Sequence, residues 1–171
     1  QIIAEKLLIE SVVNNNINYN YVHLISSTDM PLMTSNYFKN FFKNKTAYIG
    51  FVDYIEKFKI RRLKYYYPIR FFNVKSRVNE KVIIGLCKLV NRLLRINRLN
   101  HVHVENGCNW FSMGINFAEY VLQFSEKHFN MFKNTFCGDE FYIQTALSKL
   151  KPKNFGNKYN YYSDSYRMTE S

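Results

Sequence analysis

A chain of 171 residues with 47% hydrophobic content is long enough for one globular domain with a sizeable core. A net charge of +11 with 18% aromatic residues suits an anionic partner, whether nucleic acid, acidic lipid or a phosphorylated ligand, and composition does not choose among them. No apolar run approaches the length needed to cross a bilayer, and the start is not a signal peptide. Cys87, Cys108 and Cys137 lack metal-ligand spacing, and their odd number argues against a complete disulfide framework, so reduced, partly buried thiols are expected. The chain starts inside a predicted helix without a methionine and ends on the polar tail Asp164–Ser171, so it reads as a fragment of a longer protein. Asn44-Lys45-Thr46 matches a glycosylation sequon, a short string that arises often by chance in an Asn-rich chain.

Residues 1–15 read as an amphipathic helix with Ile2, Leu8, Ile9 and Val12 on its apolar side. Tyr21–Ile25 is a short, β-rich run with the pattern of a buried strand. It breaks into Ser26, Ser27, Thr28 and Asp29, side chains that favour turns, and Pro31 stiffens the turn. Small hydroxyls and a carboxylate at the carboxyl end of a buried strand are where open α/β sheets place ligands, although an ordinary turn is the plainer reading. Thr34 or Ser35 caps a second helix through about Lys43, and Ala47–Val52 is a β run. Alternating helices and strands predict an α/β arrangement in layers.

Glu56–Phe72 places Arg61, Arg62 and Lys64 directly before three tyrosines, cations and flat rings suited to a sugar or a phosphate. The plain alternative is a strand with a solvated basic edge. Lys81–Leu99 is the clearest predicted helix, with Lys81, Lys88, Arg92 and Arg95 on one stripe and Val82, Leu86, Leu89, Val90 and Leu93 opposite. That pattern predicts a core-facing helix; contact of the basic stripe with an anionic membrane surface is the sharper alternative. His101 and His103 alternate with Val102 and Val104 as in a strand, and no further ligand completes a metal site there. Gly107 permits close backbone approach, and Trp110, the only tryptophan, offers a broad ring for packing or for a sugar face. Ile115–Ser125 reads as a helix, and another runs from Glu140 to Leu150 after Gly138, with Asp139 as its cap. Glu140, Ile143, Gln144 and Leu147 share one face, which turns Glu140 inward, and a carboxylate in a first turn is favoured by the helix dipole.

Four of these strings occur in a familiar order. H-L-I-S-S-T-D-M-P-L at 23–32, R-L-K-Y-Y-Y at 62–67, G-C-N-W-F-S-M at 107–113 and F-C-G-D-E-F-Y-I-Q-T-A-L at 136–147 resemble segments of the core-2/I-branching N-acetylglucosaminyltransferases, which include the peptide O-xylosyltransferases. Ser27 stands where that family usually has Gly, Asn109 where the xylosyltransferase branch has Asp, and Gly138 where Pro or Ala is usual. The resemblance implies a GT-A-like α/β fold, a mixed and mostly parallel sheet flanked by helices, with residues 1–171 forming a single partial domain. It implies inverting transfer of a sugar, N-acetylglucosamine or xylose, from a UDP donor to an acceptor hydroxyl on a glycan.

On this resemblance Glu140 is the catalytic base, and Asp29, Arg62, Lys64, Tyr66, Asn109, Trp110 and Asp139 serve donor and acceptor binding. Basic side chains rather than a metal offset the charge of departing UDP, which fits the absence of a D-x-D string. No cofactor is expected beyond the UDP-sugar co-substrate. The family's nucleotide-binding turn would precede Gln1, and its diphosphate-gripping basic pair would follow Ser171. Arg167 is not assigned to that pair. The expected location is membrane-associated, at the cytoplasmic face in a bacterium or in the Golgi lumen of a eukaryote. The rival readings are a basic nucleic-acid-binding domain and a glycan-binding relative without catalysis.

Overall fold

The structure, a computed structural model, describes residues 1–15, 17–26, 29–30, 32–43, 46–52, 54–69, 77–99, 102–151 and 165–169. Expectations for Ser27, Thr28, Pro31, His101, the sequon residues Asn44 and Lys45, and positions 70–72 lie outside the described residues. Helix α1 (Ile2–Val13) leads into β1 (Tyr21–Leu24), α2 (Ser35–Phe41) and β2 (Thr46–Gly50). Helices α3 (Lys57–Lys64) and α4 (Arg77–Leu93) follow, then β3 (Phe111–Gly114), α5 (Ile115–His128), α6 (Asp139–Leu147) and β4 (Ser165–Thr169). Thr34 caps α2 by accepting from the Tyr37 amide, as its position before the helical run predicts.

The mixed α/β class holds, but the mostly parallel sheet does not. The strand order is β1-β3-β2-β4, and every pair is antiparallel. A β1–α2–β2 succession suggests a parallel crossover, and β1 and β2 do run in the same direction, but β3 inserts between them and opposes both. That insertion comes from more than 60 residues downstream and leaves no trace in the local pattern.

Strand alternation then sorts the layers. Ala47 and Ile49 of β2 and Phe111 and Met113 of β3 point into a core shared with Val121 of α5, Phe141, Ile143 and Leu147 of α6, and Ile9 of α1. His23, Tyr48 and Ser112 point the other way, where α2 covers them with an aromatic cluster. Phe42 lies 4.6 Å from the His23 ring and 5.6 Å from Tyr48, centroid to centroid. His23 Nδ1 also meets Ser112 Oγ at 2.8 Å across the register, and burial pulls its pKa below the usual imidazole range.

Three local expectations change. The basic run is helix α3, not a strand edge. Residues 102–108 form no strand; the β3 strand starts at Phe111, and Val102 and Val104 pack half-buried against the core from irregular backbone. The predicted 81–99 helix is shifted to Arg77–Leu93. It ends where Arg95 adopts φ 51°, the Arg95 amide donates to Arg92 O at 3.2 Å and the Ile96 amide to Asn91 O at 2.9 Å. This is a Schellman closure with arginine in the position glycine usually takes, so Arg95 leaves the basic stripe.

The largest change concerns which way α4 faces. Its body-facing group is Asn91, whose Oδ1 accepts from the Tyr66 amide at 2.8 Å while Nδ2 donates to Tyr66 O at 2.8 Å and Cys87 O at 2.6 Å. Because Asn91 pins that side inward, Val82, Leu86, Leu89, Val90 and Leu93 are exposed and do not face the core. Among the described residues no helix is long and apolar enough to cross a membrane, and Cys87, Cys108 and Cys137 are free, partly buried thiols.

Candidate functional site

A cleft of about 730 Å³ opens where the N-terminal half of α1, the end of β1, the 106–110 segment and the first turn of α6 converge. The sequence builds it around α6. Every side chain of Asp139–Leu147 except Glu140 is buried, and two of them hold irregular backbone in place. Gln144 Nε2 donates to Gly50 O at 3.1 Å and to Cys108 O at 2.7 Å, linking the end of β2 to the segment carrying Asn109 and Trp110. Thr145 Oγ1 donates to Glu105 O at 3.1 Å and accepts from the Glu105 amide at 3.2 Å.

Without a strand partner, residues 105–108 have the Glu105 amide and carbonyl, the Gly107 amide and the Cys108 carbonyl paired by α6, and the Asn106 carbonyl by the Val52 amide. Gly107 makes the closest approach. Its amide donates to Glu140 O at 2.9 Å, Asn106 Nδ2 donates to the same oxygen at 3.0 Å, and a Cβ added at Gly107 would lie 1.9 Å from Gly50 O. The Glu140 carbonyl is thus fixed from two sides, which sets the direction in which the Glu140 side chain leaves the helix.

Four of the predicted site residues line this cleft: Asn109, Trp110, Asp139 and Glu140. Trp110 is 58% exposed, its ring available to a ligand face. Glu140 reaches toward Arg62, with Oε2 and Nη1 3.7 Å apart, and the Arg62 guanidinium lies over the rings of Phe58 and Phe136. Asp139 does not cap α6. The capping position is Gly138, with no side-chain hydrogen bond, and the Asp139 carboxylate instead accepts from Asn109 Nδ2 at 2.7 Å. A Cβ on Gly138 would sit 2.2 Å from Thr135 Oγ1 and 3.2 Å from Phe132 O, so a larger residue there would require Thr135 to shift.

Four predicted site residues, Arg62 among them, lie outside the lining. Asp29 closes the turn after β1 by accepting from the Ser26 amide at 2.7 Å, and of that pair it is Ser26 that faces the cleft. Lys64 lies near the Tyr65 ring. Tyr66 is held by Asn91 through its backbone, accepts from Asn134 Nδ2 at 3.2 Å, and has the Arg98 guanidinium 5.4 Å from its ring centroid. Among the described residues no three His, Cys, Asp or Glu side chains group as a metal site.

The residue that sequence reasoning missed is Glu5. It lines the cleft from α1, is 6% exposed, and its Oε1 has no hydrogen-bond partner among the described residues. Burial, reinforced by the negative charge of Asp139, raises its pKa from 4.5 to about 8. A protonated Glu5 keeps a second full negative charge away from Asp139. Periodicity carried a signal, since Glu5 lies three residues after Ile2 and four before buried Ile9, on the inward side of α1. Leu8, placed on that side by the sequence reading, is exposed at the cleft rim.

No curated protein and no solved structure matches the chain. A family model described as Core-2/I-Branching enzyme matches residues 1–168, a span that contains all four ordered segments and every residue of the cleft. The chain belongs to the Core-2/I-branching enzyme family, and with it to the glycosyltransferases, which join a donor sugar to a glycan acceptor.

Proposed function

We propose that the protein transfers a sugar, N-acetylglucosamine by the family's usage, from a UDP donor to a hydroxyl of a glycan acceptor with inversion at the anomeric carbon. The same proposal takes the fold as GT-A-like, Glu140 as the general base and the reaction as independent of metal, with the UDP-sugar as co-substrate and no cofactor. The observation that carries it is Glu140, the one α6 side chain that is not buried, standing in the cleft wall with Trp110.

The acceptor hydroxyl gives its proton to the Glu140 carboxylate as its oxygen bonds to the anomeric carbon. The bond from that carbon to the diphosphate oxygen breaks in the same step, and UDP leaves with the electron pair. Arg62 keeps the carboxylate oriented; at 3.7 Å and half-exposed, the pair contributes only about 0–1 kcal/mol to stability, so its use is in direction. Trp110 supplies a flat apolar face for a sugar ring, and Asn109 is held by Asp139 beside it. The family match along the chain does not favour a nucleic-acid-binding domain.

The test is UDP release by the protein with UDP-N-acetylglucosamine and a glycan acceptor, with and without excess EDTA. Release that needs both substrates and persists in chelator is expected. Activity lost in EDTA and restored by manganese contradicts the metal-free reading, and binding of glycan without UDP release supports the non-catalytic relative.

A further inference from the structure

We propose that α4 is a membrane-docking helix that lies on an anionic bilayer surface, with its apolar face in the acyl boundary and its basic stripe on the lipid headgroups. The inference does not depend on the transfer reading. Val82, Leu86, Leu89 and Leu93 are 65%, 59%, 53% and 71% exposed. At 100° per residue these four and Val90 fall within an arc of about 100° on the side away from buried Asn91. A soluble helix places such an arc against its core; here Asn91, clamped to the Tyr66 backbone, occupies the inward side instead.

Charge identifies the occupant. Lys81, Lys88 and Arg92 are exposed along one flank of the apolar arc, and the only carboxylate in the α4 sequence is half-buried Glu80. On that flank α3 and α4 enclose a pocket of about 390 Å³ lined by Arg61, Arg62, Lys81 and Lys88 together with Tyr67, with no acidic residue lining it among the described residues. An apolar arc bordered by Lys81, Lys88 and Arg92, with Arg61 and Arg62 beside them, matches the layering of an acidic bilayer, apolar chains beneath phosphate, better than it matches an ordinary protein groove. Arg62 lines this pocket and also reaches Glu140, so the docking side adjoins the cleft.

The test is co-sedimentation of the whole protein with vesicles of equimolar phosphatidylcholine and phosphatidylglycerol, and with vesicles of phosphatidylcholine alone. Binding is expected only to the acidic vesicles, weakening as salt shortens the Debye length. Each basic side chain at such a surface is worth roughly fivefold in partitioning, so Lys81→Gln, Lys88→Gln and Arg92→Gln together should lower it on the order of a hundredfold. A second variant, Leu86→Ser, Leu89→Ser and Leu93→Ser, should abolish binding while circular dichroism shows the fold retained. Equal binding by wild type and both variants overturns the proposal, as does no binding to acidic vesicles. Dimers in sedimentation velocity that the serine variant abolishes would assign the face to a second copy of the chain and overturn it as well.

Discussion

Helices α6 and α4 carry comparable apolar content and are used in opposite ways. In α6 all side chains but Glu140 are buried, and the helix has no free face; it is an internal post. Its polar residues serve other backbone, Gln144 holding Gly50 and Cys108 and Thr145 holding Glu105. In α4 only Asn91 among the described side chains is buried, and the leucines face outward. The comparison teaches that a helix can turn a multiply hydrogen-bonded polar residue inward while its apolar arc stays outward, so hydrophobic pattern alone does not fix which way a helix faces.

This contrast predicts very different tolerance to change. The largest stability effect is expected at Gly107, where α6 and β2 meet. Gly107→Ala forces a methyl against the Gly50 carbonyl, backbone that cannot rotate away, and should lower unfolding free energy by about 3 kcal/mol in urea denaturation. Normal stability would show that this junction is loose.

An intermediate effect belongs to Glu5, and its sign follows from the raised pKa. The unfolded chain releases this proton near pH 4.5, whereas the folded chain holds it until about pH 8. The stability associated with Glu5 is therefore complete below pH 4.5 and is lost as pH rises through that window, at up to about 1.4 kcal/mol per pH unit. Glu5→Gln keeps the neutral form throughout, so the variant's melting temperature should overtake wild type as pH rises toward 8. Parallel melting curves at every pH would remove Glu5 from this role. The smallest effect is expected in α4, where Leu86→Ser, Leu89→Ser and Leu93→Ser should each change stability by less than about 0.5 kcal/mol because these side chains are exposed. A loss of 2 kcal/mol or more at any of the three, on the scale of a buried leucine, would contradict the exposed face.

The same pair of helices shows what the sequence could and could not convey. The α6 string was legible because motif and helix start nearly coincide; yet the helix runs Asp139–Leu147 rather than 140–150, capping passes from Asp139 to Gly138, and Glu140, read as turned inward, is the one side chain of the helix left unburied. The orientation of α4 was not legible, since it depends on Asn91 meeting Tyr66 across 25 positions. Sheet direction failed for a similar reason, with β3 pairing to both β1 and β2 from far along the chain. Glu5 was visible in periodicity, but its meaning came only when the fold brought it beside Asp139.

The most direct measurement is the turnover of Glu140→Gln, assayed as UDP release with matched acceptor, beside donor affinity and melting temperature on the same preparation. The substitution preserves shape and leaves the hydrogen bonds to the Glu140 carbonyl intact, so melting and donor binding should hardly move. Loss of the proton acceptor should lower kcat by about 10²–10⁴-fold. Turnover near that of wild type would contradict the account and place the base on another residue.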